Sequence, residues 1–289
     1  MKARFLPLIG IVAGLGCSSS NNNSGADTVA ASVGAAPSAT SAQQQLSSSS
    51  RHGEWVIVKT SATDSVRAWL VYPERRNNAP VVVVVHEIFG LSNWVRSVAD
   101  QLAADGFIAI APDLMTMKNI PNDANGEPER QAATTAIRTL DPAAYQRDIR
   151  KAAEFAMNLP AAAKKYGVVG YCWGGSAVFN HAIFYPDVNA VVSYYGTTPV
   201  SSDQLKTRLN VIKAPVLGLY GENDARVNAT IAPMDSAAKA HSITYQHHIF
   251  AGAGHGFLRA QDGANGANLK AAQEAWPLTI NWFRRYLGS

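Results

Sequence analysis

Gly167-Val168-Val169-Gly170-Tyr171-Cys172-Trp173-Gly174-Gly175-Ser176 decides how this chain is read. Residues 167–170 are short and apolar, the pattern of a strand buried on both faces. Residues 176–185 read as a helix. Between them the chain turns sharply, with glycines at 170, 174 and 175. So tight a strand-to-helix turn crowds its own backbone and needs small residues on either side. The cysteine at its apex is pushed out above the sheet, at a helix N-terminus whose dipole favours a thiolate. For the motif alone, a tight turn carrying an inert buried thiol is the competing reading.

Outward from this turn, strand and helix patterns alternate. Residues 54–59 and 66–71 read as an opening pair of strands, and 81–85 is an unbroken run of valines. Asn93 is a candidate N-cap for a helix that aligns Val95, Val98 and Leu102 and closes at Gly106. A strand at 107–110 stops at Pro112, and 115–129 carries the Pro, Asn, Asp and Gly of a loop. A helix at 142–159, strands at 190–194 and 216–220, a helix at 232–240 and a strand at 244–250 follow. A last helix places Ile280, Phe283 and Leu287 on one face. No internal repeat is present. This alternation predicts one α/β domain with a doubly wound, mostly parallel sheet flanked by helices.

Sheets of that kind carry their sites at the C-terminal ends of strands. Gly221-Glu222-Asn223-Asp224 follows one strand, and Ala251-Gly252-Ala253-Gly254-His255-Gly256-Phe257 follows the next. Cys172, Asp224 and His255 then supply a nucleophile, an orienting acid and a base. Glu222 is the alternative acid. His247 and His248 sit within a strand on opposite faces and are poor partners. A zinc site from His247, His248 and His255 lacks convincing ligand spacing. After the valine strand comes His86-Glu87-Ile88-Phe89-Gly90, whose glutamate would lie close to the thiol. It can accept the thiol's proton or serve only as a hydrogen-bonded loop residue.

Taken together, HEIFG at 86–90, GYCWGG at 170–175, GENDARV at 221–227 and GAGHGF at 252–257 resemble the dienelactone hydrolase family, the carboxymethylenebutenolidases. The resemblance spans roughly residues 55–288 and implies an α/β-hydrolase fold with a Cys172–His255–Asp224 triad. In that fold the loop after the valine strand and the residue after the nucleophile each supply an oxyanion amide, which implies Ile88 and Trp173. It also implies that the resting thiol is largely neutral and that Glu87 takes its proton when substrate enters. A neutral thiol is also guarded against oxidation. Arginines are implied to hold an anionic substrate, since a guanidinium can fork onto both carboxylate oxygens. Arg259, four residues after His255, matches one of them; Arg130 is the nearest candidate for the second, in a shifted match with a longer loop. The implied reaction is hydrolysis of a small-molecule carboxylic ester or lactone through an acyl-cysteine, with no metal or organic cofactor. A general carboxylesterase or thioesterase of the same fold is the alternative, and a non-catalytic surface binding lipoprotein a further one.

The ends and the bulk composition add a setting. The chain has 289 residues, 47% hydrophobic and 16% charged, ample for a large core. Lys2 and Arg4 precede an apolar run that ends at Gly16-Cys17, the pattern of an export signal over residues 1–16. The Gly16-Cys17 end resembles a bacterial lipoprotein signal, with Cys17 as the lipidated residue; ordinary cleavage is the alternative. Residues 17–50 are rich in Ser, Asn, Gln and Ala and read as a disordered tether, with a catalytic domain over 51–289. A flexible tether of that length spans about 30 Å. The expected place is periplasmic or cell-surface, tethered to a bacterial membrane, and the expected state monomeric. With Cys17 acylated, Cys172 is the only free thiol, unable to form an intramolecular disulfide. The formal charge of +4 includes the leader's two cations, and the lack of any Lys/Arg run gives nucleic-acid binding no support.

Overall fold

The computed structural model describes residues 33–74 and 77–288. The export signal, Cys17 and the first part of the expected tether lie outside the described residues.

Eight strands form one sheet: β1 (Gly53–Lys59), β2 (Ser65–Val71), β3 (Ala79–Val85), β4 (Ile108–Pro112), β5 (Ala162–Tyr171), β6 (Ala190–Tyr194), β7 (Val216–Asn223) and β8 (Tyr245–Gly254). Their order is β1-β2-β4-β3-β5-β6-β7-β8. The opening pair is antiparallel, β2 runs antiparallel to β4, and every pairing from β4 to β8 is parallel. The helices are α1 (Ala42–Ser48), α2 (Asn93–Ala104), α3 (Arg130–Ala136), α4 (Pro142–Met157), α5 (Trp173–Phe184), α6 (Ala225–Asn228), α7 (Ile231–His241) and α8 (Ala267–Leu287).

The valine run explains the layering. Successive side chains of a strand point to opposite faces. Val82 and Val84 therefore join the core made with α2 and α8, through Val98, Leu102, Trp276 and Phe283. Val81, Val83 and Val85 join the opposite core, with Ile149 of α4, Val178 of α5 and Met234 of α7. All five valines are fully buried, and burying each stabilises the fold by roughly 1.5–3 kcal/mol. Only a sheet covered on both faces makes use of such a run.

Three expectations are corrected. The N-cap of α2 is Ser92, whose side chain accepts from the Val95 amide, while Asn93 is the first helical residue. Helix α5 begins at Trp173 rather than 176, so Cys172 itself occupies the N-cap. Most instructive is the supposed tether, whose residues 33–50 pack against the domain. Ala42 is buried, the Trp94 indole donates to the Pro37 carbonyl, and the Ser49 hydroxyl donates to Asp100. A segment too polar to build a core borrows one already present, using backbone groups that composition does not reveal.

Candidate active site

Strand ends bring the pieces together. Cys172 follows β5, His86 to Gly90 follow β3, Asp224 follows β7 and His255 follows β8. Cys172 has φ 56° and ψ −115°, a left-handed value that a non-glycine residue adopts only when its surroundings impose it. What imposes it is contact. A Cβ on Gly174 would come within 2.4 Å of the His86 carbonyl oxygen and 2.5 Å of that of Val85. The first turn of α5 thus lies directly on the end of β3, and the Cys172 amide donates to the Tyr194 carbonyl at 3.1 Å.

Asp224 Oδ2 meets His255 Nδ1 at 2.5 Å, with Asp224 nearly buried. That bond leaves Nε2 as the ring's free nitrogen. The imidazole is pushed up to about 9, first by the Asp224 hydrogen bond and then by one to Cys172, against the opposing effect of burial. Glu222 lies elsewhere: its carboxylate accepts the Gly252 amide at 2.8 Å, on the exposed side of β8. His247 pairs with Asp235 and His248 stacks beside Phe250, so neither joins His255.

Glu87 is buried and turned onto Arg259, whose Nε donates to its Oε2 at 2.6 Å. Burial pushes the Glu87 carboxyl up, while Arg259, and further off His255 and Arg130, pull it down. Arg130 and Arg259 both approach the Phe89 ring, at 3.8 and 5.3 Å from its centre. The two arginines proposed from sequence therefore share one aromatic platform. Arg130 is the first residue of α3, a helix unforeseen from sequence that begins just after the stretch read as loop, and Glu129 caps it by accepting the Gln131 and Ala132 amides.

The Ile88 and Trp173 amides occupy the two chain ends that meet here. Trp173 opens α5, where the first N–H groups have no helical partner. His86, a motif residue with no sequence-assigned role, braces this loop. Its Nδ1 faces the Glu87 carbonyl at 2.7 Å and its Nε2 faces the Leu114 amide at 3.2 Å. A carbonyl only accepts and an amide only donates, so the proton is on Nδ1 and the ring is neutral. Burial holds its pKa low to match. The ring also stacks against Trp173, 6.0 Å between centres.

Tyr195 is the residue the sequence reading missed. It is fully buried with φ 38°, its ring packs edge-on 5.1 Å from His255, and its hydroxyl has no hydrogen-bond partner among the described residues. The Tyr171 hydroxyl is unpartnered as well. Only the glycine after Tyr195 hinted at an unusual backbone there.

A thiol on a tight turn, an imidazole held by a carboxylate, and a buried carboxylate on a half-buried guanidinium are therefore gathered at the C-terminal edge of the sheet. Residues 66–287 match the family model described as the dienelactone hydrolase family. The chain belongs to that family, one of carboxylic ester hydrolases. It is 30% identical over 238 residues to a Salmonella typhimurium protein named "Putative carboxymethylenebutenolidase", covering 79% of this chain and 86% of the relative. A rat protein named carboxymethylenebutenolidase homolog is 31% identical over 211 residues, covering 71% and 82%. Among solved structures, a Klebsiella pneumoniae protein titled "Putative Dienelactone Hydrolase" superposes with a TM-score of 0.70 at 26% identity, covering 82% of this chain and all of that one. The α/β-hydrolase fold expected from the motifs is the fold observed.

Proposed function

We propose that this family member hydrolyses carboxylic esters or lactones that carry a carboxylate, through an acyl-cysteine on Cys172. The observation that carries the reading is the pairing of buried Glu87 with half-buried Arg259 beside the triad. A substrate carboxylate competes for Arg259 by forking onto its guanidinium, and Arg130 adds a second positive charge across Phe89. Glu87, released in a buried place, becomes a stronger base. It takes the proton of the Cys172 thiol. His255 is less suited to that step, because the Asp224 hydrogen bond favours the imidazole's keeping its own proton.

The thiolate attacks the carbonyl carbon, and the Ile88 and Trp173 amides hold the oxyanion. The ester C–O bond breaks and the leaving oxygen takes the Nε2 proton of His255. Neutral His255, kept in one tautomer by Asp224, then removes a proton from water as its oxygen attacks the thioester. The C–S bond breaks, the acid leaves, and the thiolate recovers its proton from Glu87, which returns to Arg259.

Intact-mass measurement with a slowly turned-over ester tests this. The wild type should carry an acyl adduct on Cys172, and Cys172→Ala should lose both adduct and turnover. Undiminished turnover by Cys172→Ala would sink the proposal. Rates on dienelactone against simple aryl esters separate it from a general esterase or thioesterase, and the assembled triad weighs against a purely binding role. Export and lipidation of Cys17 belong to the same proposal; an unmodified cleavage site elsewhere in the mature N-terminus would remove them.

A further inference from the structure

Residues 33–50 precede the family-matched region, yet they reach the substrate side of the site. The Ala39 amide donates to the carbonyl of Arg259 at 2.9 Å. The Gln261 side-chain amide donates to the Ala36 carbonyl at 3.0 Å, two residues further along the same loop. On the other flank, the Trp94 indole donates to the Pro37 carbonyl at 2.9 Å, and Asn93 donates to the Gln43 side chain at 2.8 Å. Gly34 closes the run by donating to Asp105 at the end of α2.

These anchors lie on both sides of the Glu87–Arg259 pair. Helix α2 follows the loop that bears Glu87, and Arg259 sits in the loop after β8. Trp94 also packs edge-on against Tyr171, the residue before the nucleophile, 4.9 Å between centres. We propose that residues 33–50 form a built-in strap that positions Arg259 and thereby sets the enzyme's preference for carboxylate-bearing substrates. The proposal rests on the reading of Arg259 as the substrate's carboxylate ligand.

The physical case is one of backbone constraint. Without the strap, the Arg259 turn is held by the Arg259 and Ala260 amides to Gly256, by the Gly263 amide to Ala260, by Asn268 to the Ala260 carbonyl and by Gln261 to the Leu258 carbonyl. None of these fixes the Arg259 carbonyl, which is the group Ala39 binds. A guanidinium that must meet two oxygens at once is sensitive to rotation of its own backbone. The strap's contacts at 36, 37 and 39 are all main-chain groups, so small residues suffice, and Pro37 stiffens the chain between them.

The test uses the full chain with two separate variants. Ala39→Pro removes the N–H that binds Arg259 and stiffens the strap there, and Gln261→Met removes the donor shared by the Ala36 and Leu258 carbonyls, so Ala39→Pro is the variant confined to the strap. Each is measured on an aryl ester carrying a free carboxylate and on the same ester with that carboxylate methylated. We expect the kcat/KM ratio of charged to neutral ester to fall about 3- to 10-fold, the worth of one hydrogen bond, chiefly through KM, with kcat on the neutral ester unchanged. Amide exchange over 256–263, followed by mass spectrometry without substrate, should speed up in both variants. Equal losses on both esters would overturn the specificity role. Unchanged exchange in both variants would overturn the strap itself. If wild type and Arg259→Gln both ignore the carboxylate, the reading of Arg259 fails and the specificity role with it. The exchange measurement still judges the bracing on its own.

Discussion

The two halves of this site are built from different materials. The nucleophile side is made of main chain: Cys172 at φ 56°, glycines pressed on neighbouring carbonyls, and strand ends in fixed register. The anion side is made of side chains reaching across loops, with Glu87 on Arg259 and both arginines over Phe89. Backbone contact fixes geometry and tolerates almost nothing, because packed main-chain atoms cannot give way. A side-chain pair can open and close, which is what a substrate-triggered proton transfer requires. On the proposed mechanism, the difference separates chemistry held rigid from recognition left switchable.

The comparison breaks most visibly at Gly174. Its substitution by alanine adds one methyl group against two carbonyl oxygens, so α5 must leave β3. Gly174→Ala should cost about 1–3 kcal/mol in chemical denaturation. Displacing the elbow should also lower kcat/KM about 100-fold or more. A well-folded, fully active Gly174→Ala enzyme would show that the nucleophile side is not backbone-limited.

On the switchable side, Glu87→Gln keeps the shape and removes the base. Acylation at neutral pH should fall about 100-fold, the low end for losing a general base. The deficit should shrink as pH rises, because hydroxide can take the thiol's proton in place of Glu87. Stopped-flow acylation from pH 6 to 9 checks this. An unchanged profile would remove Glu87 from the mechanism.

This division also explains what could be read from sequence. Backbone-built features leave marks: glycines flank Cys172 because the turn demands them, Gly256 after His255 has φ 76°, and the valine run records a sheet covered twice. Asp224 was harder to separate from Glu222, since both stand in one short turn; the choice became visible only in the 2.5 Å bond to His255. Pairings between distant side chains leave no local trace, so Glu87 could be named but not its union with Arg259. Tyr195 has φ 38° and is buried among Tyr171, His255 and Phe257, which are distant in sequence, so the residues around it in the chain carry none of that. Residues 33–50 misled for a related reason, because they bind through main-chain groups that every residue possesses.

Arg259→Gln sharpens the anion side with a smaller effect. It should lower kcat/KM about 10-fold or more on a carboxylate-bearing ester, in line with losing a charged hydrogen bond. The neutral analogue makes no bond to the guanidinium, so its KM should be nearly unaffected, while the loss of Glu87's partner acts on its kcat. Equal losses on both would place Arg259 in the chemistry rather than in recognition.

The smallest expected effect concerns stability, and it returns to the rigid side. His255 is raised from 6.5 to about 9 in the folded chain, chiefly by Asp224. A raised folded pKa gives stability that is complete below the unfolded value and is lost as pH climbs through the folded one. The loss should therefore run from about pH 6.5 to 9. The ring is 37% exposed, so solvent screening limits the contribution to about 1 kcal/mol or less. In Asp224→Asn the carboxylate that holds the proton is gone, and the folded pKa should fall back toward the unfolded value. Urea denaturation of both proteins across that window should give curves that converge at the alkaline end, with wild type the steeper. Parallel curves would mean that Asp224 orients His255 without holding its charge. The proton balance proposed for acylation would then have to start from a neutral ring.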